Sequence, residues 1–451
     1  MTAPDRPSTG PRALIDTCVH CGFCLSACPT YRLWGQEADS PRGRIFLLKL
    51  ADDGEAAITP RWAHHFDTCL GCMACMTACP SGVDYEQLLE FARGAVARGV
   101  RRSWRERVVR RVIFSLFPRP DRLRALRPLL VLYARGGIRA AAKRMRILEM
   151  LPGTVRALDA LLPPLTRPVP TPEVTPAKGE RRGRVGLLLG CVQREYLSEV
   201  NAATIRVLAA EGCEVVAPAR QPCCGALLLH AGEEERGRAM ARAMIDAFEG
   251  LQVDAVVSNA AGCGSAVKAY ARLLEDDPRY AERAQRFAAA CRDVTELLVE
   301  LGPRAPRHPI AARVAYHDAC HLQHAQRVRD QPRALLGGIP DLDLVEVPDP
   351  AICCGSAGVY NLLQPMAARL LGDRKARDVL SVRPDAVATG NSGCIFQLRA
   401  ALDRVRADPP VLHSIQILDA SIRGGRLEKR RNATGGLPRG EASQETSPRT
   451  Y

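Results

Sequence analysis

Two stretches, CVHCGFCLSACP (residues 18–29) and CLGCMACMTACP (residues 69–80), carry one pattern, C-x2-C-x2-C-x3-C-P. Eight of the 18 cysteines are spent on these two copies. The spacing lets three thiolates of one tight loop reach three irons of a cubic cluster, while the fourth cysteine turns away to the neighbouring cluster. The expected ligand sets are therefore Cys18, Cys21, Cys24 and Cys79 for one [4Fe-4S] cluster, and Cys69, Cys72, Cys75 and Cys28 for the other. Paired cysteines two residues apart also suit zinc. Zinc explains neither the third cysteine of each loop nor the trailing C-P. Forty residues separate Cys28 from Cys69, and "GRIFLLKL" within them predicts a helix through residues 45–50. His64 and His65, beside the second loop, read as surface or packing residues.

Beyond a proline-rich stretch, residues 163–184, the pattern changes to short β-rich runs alternating with helical stretches, which predicts α/β units. This part repeats. VGLLLGC, ending at Cys191, matches RVAYHDAC, ending at Cys320; QPCCG matches AICCG; DAVVSNAAGC, ending at Cys263, matches DAVATGNSGC, ending at Cys394. The register is held across all three landmarks, so residues 185–305 and 306–422 form a duplicated domain. In open α/β sheets, ligands bind where loops leave the carboxyl ends of the strands. That would gather Cys191, Cys223, Cys224 and Cys263 in one repeat, and Cys320, Cys353, Cys354 and Cys394 in the other. An iron–sulfur cluster and a zinc ion both remain open for these sites. Cys213 and Cys291 have no counterpart and read as buried and inert. His317, His321 and His324 surround Cys320, with His321 the favoured neighbour of a metal centre.

The composition narrows the classes further. Hydrophobic residues make up 47% and charged residues 25%, enough for real cores. The first residues lack a secretion signal, and no apolar run is long enough for a membrane span. Cysteine-rich chains kept in a reducing cytosol use their thiols for metals or redox chemistry rather than disulfides. The net charge is +14, and residues 98–149 alone hold 16 Lys/Arg against three acids, a surplus of +13. A charge so localised argues against a nucleic-acid binder and for one docking segment within residues 98–162. There Val108, Val109, Val112, Ile113 and Leu116 recur at helical spacing. Residues 423–451 are polar and expected to be disordered.

Two such cysteine loops followed by two Cys-Cys-Gly domains resemble the iron–sulfur subunits of glycolate oxidases (glycolate dehydrogenases), over roughly residues 12–422. "SPRGRIFLLK", "LGCVQ", "NAAGCGS", "CHLQHAQRV" and "CCGSAGVYNLLQP" carry the likeness. More distant kin are the cluster subunits of heterodisulfide reductase and anaerobic glycerol-3-phosphate dehydrogenase. The resemblance implies a multidomain fold, an N-terminal α-helical ferredoxin-like domain over residues 12–97 followed by the duplicated α/β Cys-Cys-Gly domain. It also implies a partner subunit carrying FAD that oxidises glycolate to glyoxylate, with electrons passing through this chain to a quinone or other acceptor. No G-x-G-x-x-G follows a strand, so the chain itself is expected to hold no substrate site and no catalytic residue. The expected location is cytoplasmic, with peripheral contact to the inner face of the membrane. The alternative is a cluster subunit of a related heterodisulfide, quinone or glycerol-3-phosphate enzyme. In heterodisulfide-reductase-type domains each repeat has a fifth cysteine; here Ala260 and Asn391 stand at those positions.

Overall fold

The computed structural model describes residues 11–427, so the expected disorder of the tail falls largely outside the described residues. All regular elements between residues 12 and 99 are helices. Helices Pro41–Asp52 and Pro60–Asp67 each begin with proline at the first position, where its missing N–H costs nothing. Ser40 and Thr59 cap them, accepting from Gly43 N at 3.0 Å and Trp62 N at 3.2 Å. The predicted helix at 45–50 is the centre of the first. Ile45, Leu48, Trp62, Phe66, Leu88, Leu89 and Val96 form the core under both cysteine loops. Trp62 stacks on Phe66 with centroids 4.1 Å apart.

Residues 98–162 form a strap of helices, the longest being Trp104–Leu116 and Pro120–Arg135. The apolar stripe expected there divides in two. Ile113 and Phe114 are buried against Leu228 of the first repeat and Val359 and Leu362 of the second. Val108 and Val112 stay 52% and 54% exposed. Part of the basic surplus is neutralised within the chain. Arg102 and Arg110 both pair with Asp67, at 2.8 and 3.3 Å, and Arg124 reaches Glu195 at 2.9 Å. The proline-rich stretch 163–184, whose composition suggests a semi-rigid linker, is held to the first sheet. Its strand β1 (Val174–Thr175) pairs antiparallel with β3 (Cys213–Val216), and it already enters β2 (Gly183–Leu188). Two ladder residues outweigh the prolines because the edge position asks for few N–H donors.

The remaining strands are β4 (Ala255–Ser258), β5 (Cys291–Asp293), β6 (Ala312–Tyr316), β7 (Leu342–Glu346), β8 (Ala386–Thr389) and β9 (Val411–His413). The two sheets run β1-β3-β2-β4-β5 and β7-β6-β8-β9, parallel throughout except for β1. Without β1 the orders are identical, as a duplication requires. Both reverse direction between the first and third strands, β2/β4 and β6/β8, where an open sheet leaves a crevice at its carboxyl edge. β4 and β8 are buried along their whole length, which explains why AVVS and AVAT show no alternation. One apolar core runs across both sheets, and helices Ser198–Ala210 and Ser414–Ile422 pack on each other there. Arg206–Asp419 at 2.7 Å and His413 Nε2 to Asn259 O at 2.8 Å seal the joint. Among the described residues, no helix is long and apolar enough to cross a membrane.

Candidate functional site: cysteine centres in the helical domain and both repeats

The two cysteine loops share a backbone shape. His20 and Gly22 in the first, and Gly71 and Met73 in the second, have φ of 54°, 86°, 62° and 62°. Equivalent positions therefore turn left-handed, and each loop uses glycine at only one of its two turns. Short helices, Cys24–Ala27 and Ala74–Thr77, then start at or beside the third cysteine. The fold brings the loops together with their last cysteines exchanged. Cys18, Cys21, Cys24 and Cys79 line one hollow, and Cys28, Cys69 and Cys72 another, with Cys75 bordering both. A hollow lined by four or five cysteines fits an iron–sulfur cube.

Arg44 borders the second hollow and was not singled out by its position in the sequence. It is 1% exposed, donating to His65 O at 2.5 Å and Thr30 Oγ1 at 3.1 Å, with Asp39 at 3.6 Å. Burial opposes its charge, but Cys69, Tyr85, Cys28 and Asp39 outweigh that and hold its pKa above the usual value. Burial pushes the Cys72 and Cys75 thiols well up. Of the surface and packing roles open to it, His65 takes the packing one, its Nδ1 lying 2.9 Å from Asp39 in the same network.

In both repeats the three strand-end loops converge as expected. Cys191 and Cys223 sulfurs lie 3.5 Å apart, and Cys320 and Cys353 sulfurs 3.8 Å apart. From there each set runs on by sulfur contact, Cys223–Cys224–Cys263 and Cys353–Cys354–Cys394. Donation from neighbouring thiols holds Cys224, Cys353 and Cys394 below the ordinary thiol range, Cys394 at about 5. The glycines matter here. Gly355 has φ 88°, and a Cβ on it would lie 2.7 Å from Ala368 O, while its N–H reaches Cys353 Sγ at 3.4 Å. Gly225 repeats that bond to Cys223 Sγ at 3.4 Å. Cys213 and Cys291 lie apart in the sheet, and burial pushes their thiols up to about 11 and about 12, as befits inert packing residues.

The histidines rank differently from the sequence reading. His317, not His321, joins Cys354 and Cys394, with ligand atoms all within 4.8 Å of one another. His321 Nδ1 lies 3.6 Å from Cys320 Sγ, but its ring faces His230 of the first repeat at 5.0 Å. Burial lowers the pKa of both rings. His324 Nδ1 instead meets Thr77 Oγ1 at 2.9 Å, tying the second repeat to the second cysteine loop. Arg93 ties the same loop to the first repeat, donating to Cys69 O at 2.5 Å and His230 O at 2.8 Å. Leu70, Cys72 and Ala74 pack in one buried cluster with Cys320, Cys353 and Tyr360. The hollow at Cys69 therefore abuts the metal-type site of the second repeat.

Three family models match this chain. A 4Fe-4S dicluster domain covers residues 14–83, a cysteine-rich domain covers 185–268 and again 314–399, and the linker region of the glycolate oxidase iron–sulfur subunit covers 105–162. The helical strap is thus a recognised part of the architecture. Among curated proteins, the chain is 38% identical to the probable glycolate oxidase iron–sulfur subunit of Bacillus subtilis, over 86% of this chain and 89% of that protein. It is 36% identical to the glycolate oxidase iron–sulfur subunit of Escherichia coli, over 91% and 95%. A crystal structure of a hypothetical protein from Helicobacter pylori shares the fold, with a TM-score of 0.54 at 8% identity over 92% of this chain and 73% of that one. With its cysteine loops, strap and paired repeats all accounted for, the chain belongs to the family of glycolate oxidase iron–sulfur subunits.

Proposed function

We propose that this chain is the electron conduit between a flavin-bearing, glycolate-oxidising subunit and a terminal acceptor. Cys18, Cys21, Cys24 and Cys79 would hold one [4Fe-4S] cluster, and Cys28, Cys69, Cys72 and Cys75 a second, in a ferredoxin-like helical domain. Bound clusters supply one-electron carriers at potentials set by their surroundings. The chain's part is to fix their separation, exclude water and place charge. Arg44 puts a cation beside the second hollow, and Tyr360, Arg93 and His324 press that hollow against the repeats. The observation that carries the reading is the shared buried cluster of Cys72 with Cys320 and Cys353, which would give electrons a short packed route out of the helical domain. Cys320, Cys353, Cys354 and Cys394, and likewise Cys191, Cys223, Cys224 and Cys263, would hold further metal centres.

The strap, with exposed Trp104, Val108 and Val112 among arginines, suits docking of the flavin subunit, and its unpaired basic residues suit an anionic membrane surface near a quinone pool. The test is anaerobic addition of glycolate to this chain with and without its flavin partner. Bleaching of the visible cluster absorbance only in the presence of the partner supports the reading. Bleaching by this chain alone would place the substrate site here and refute it.

A further inference from the structure

The two repeats match in fold and cysteines, yet their centres differ at a buried strand-end side chain. Three residues before Cys320 stands His317; three residues before Cys191 stands Leu188. Both are at a strand end and buried, His317 at 1% exposure and Leu188 at 3%. In the second repeat the imidazole lies with Cys354 and Cys394, the donor atoms all within 4.8 Å of one another. His317 Nδ1 is buried without a hydrogen-bond partner. A polar atom so placed is destabilising unless something pairs with it. In the first repeat Leu188 offers no donor, and its neighbours Cys191, Cys223 and Cys224 pack with it in an apolar cluster.

We propose that His317 is a metal ligand, so that the second repeat binds a borderline-soft ion, iron or zinc, through nitrogen and sulfur, whereas the first repeat offers sulfur alone. The donor spacing supports this. A tetrahedral ion with metal–sulfur bonds of about 2.3 Å and metal–nitrogen bonds of about 2.0 Å sets its ligands roughly 3.5–4 Å apart. Cys353, in contact with Cys354, is the adjacent sulfur for a fourth position. Asn391, at the place of the fifth cysteine of related domains, donates to Cys394 Sγ at 3.5 Å and so orients a ligand rather than replacing one. With His317 taking the place that Cys320 would fill in an all-cysteine site, the centre carries one negative charge fewer, and where the ion is iron this favours its reduced state. This proposal rests on the reading that the repeats hold metal, and its test separates the two claims.

Iron and zinc are measured per chain in anaerobically purified wild type, His317→Leu, His317→Cys and Cys354→Ser, before and after a chelator challenge. His317→Leu and Cys354→Ser should each retain at least tenfold less of the second-repeat metal, and His317→Cys should keep it. In the wild type, which needs no variant to fold, X-ray absorption at the zinc edge should show nitrogen scattering; for an iron centre, pulsed EPR of protein with 15N-labelled histidine should show nitrogen coupling. An all-sulfur environment in the wild type overturns the proposal. So does full metal in His317→Leu when Cys354→Ser has lost it. Full metal in Cys354→Ser as well would mean the second repeat holds none, and the underlying reading falls together with the proposal.

Discussion

Tyr360 of the second repeat donates its hydroxyl hydrogen to the carbonyl oxygen of Thr68, 3.1 Å away, one residue before Cys69. Residues 292 positions apart in sequence thus fix the distance between the second cysteine loop and the second repeat. Tyr360→Phe keeps the ring packed on Leu70 and Cys72 but removes that bond. The expected cost is about 1 kcal/mol of unfolding free energy, read from the fall in the denaturant midpoint. Metal content should not change, while rapid-freeze spectroscopy should show slower electron exchange between the loop cluster and the second repeat. Wild-type exchange would mean that apolar packing alone sets the distance.

Cys79 tests the exchanged ligation. It follows the second loop in sequence but lines the hollow of the first with Cys18, Cys21 and Cys24. Cys79→Ser should therefore damage the first loop's cluster at least as much as its own, seen as loss of one of two EPR signals in the reduced protein. Selective loss of the cluster at Cys69, Cys72 and Cys75 would sink the crossed assignment.

Arg44 places a buried positive charge at the hollow lined by Cys28, Cys69, Cys72 and Cys75. A unit charge at the wall of such a cavity, with an effective dielectric constant of about 20, is worth of order 2 kcal/mol, or roughly 80 mV for one electron. Arg44→Gln should lower that cluster's midpoint potential by about this amount, since a cation favours the reduced state. Arg44→Lys should stay near wild type and guards against unfolding from an unpaired Asp39. Equal potentials in all three proteins would show that the charge is already screened.

His413 should make the joint between the repeats sensitive to acid. Its Nδ1 accepts from Ile415 N at 3.2 Å and its Nε2 donates to Asn259 O at 2.8 Å, an arrangement open only to the neutral ring. Burial lowers its pKa to about 4. The folded protein therefore binds fewer protons here than the unfolded chain between about pH 4 and 6.5. The stabilisation is complete above pH 6.5 and is lost as pH falls toward 4, by no more than about 3 kcal/mol. His413→Asn keeps a capping oxygen and cannot titrate. Urea midpoints at pH 7.5 and 5 should fall further for wild type than for the variant, and parallel falls would clear His413.

Much of this architecture was legible in the sequence, because covalent spacing carries it. Metal-loop spacing and the register of a duplication survive without knowledge of contacts, and so both cysteine sets could be grouped before any fold was seen. What stayed hidden depends on where side chains point. His321 looked favoured because it adjoins Cys320, but the loop after β6 turns its ring toward His230, and the strand-end residue His317 faces Cys354 and Cys394 instead. Arg93 and Tyr360 act across units distant in sequence, and Arg44 reaches His65 and Thr30 in other helices of its own domain, none of which a local pattern reports. The period from Val108 to Leu116 describes a single face, and period alone cannot tell that Ile113 and Val109 are packed on the repeats while Val108 and Val112 stay exposed. A two-residue strand such as Val174–Thr175 is too short to leave an alternation to read.

The central claim is that the eight loop cysteines hold two iron–sulfur cubes. Iron, zinc and acid-labile sulfide per chain in anaerobically purified protein test it most directly. The account predicts about eight irons with about eight sulfides in the helical domain, since each of two cubes holds four of each, with any further metal assigned to the repeats by its loss in Cys354→Ser and Cys224→Ser. Zinc without sulfide, bound in proportion to the loop cysteines, would contradict it.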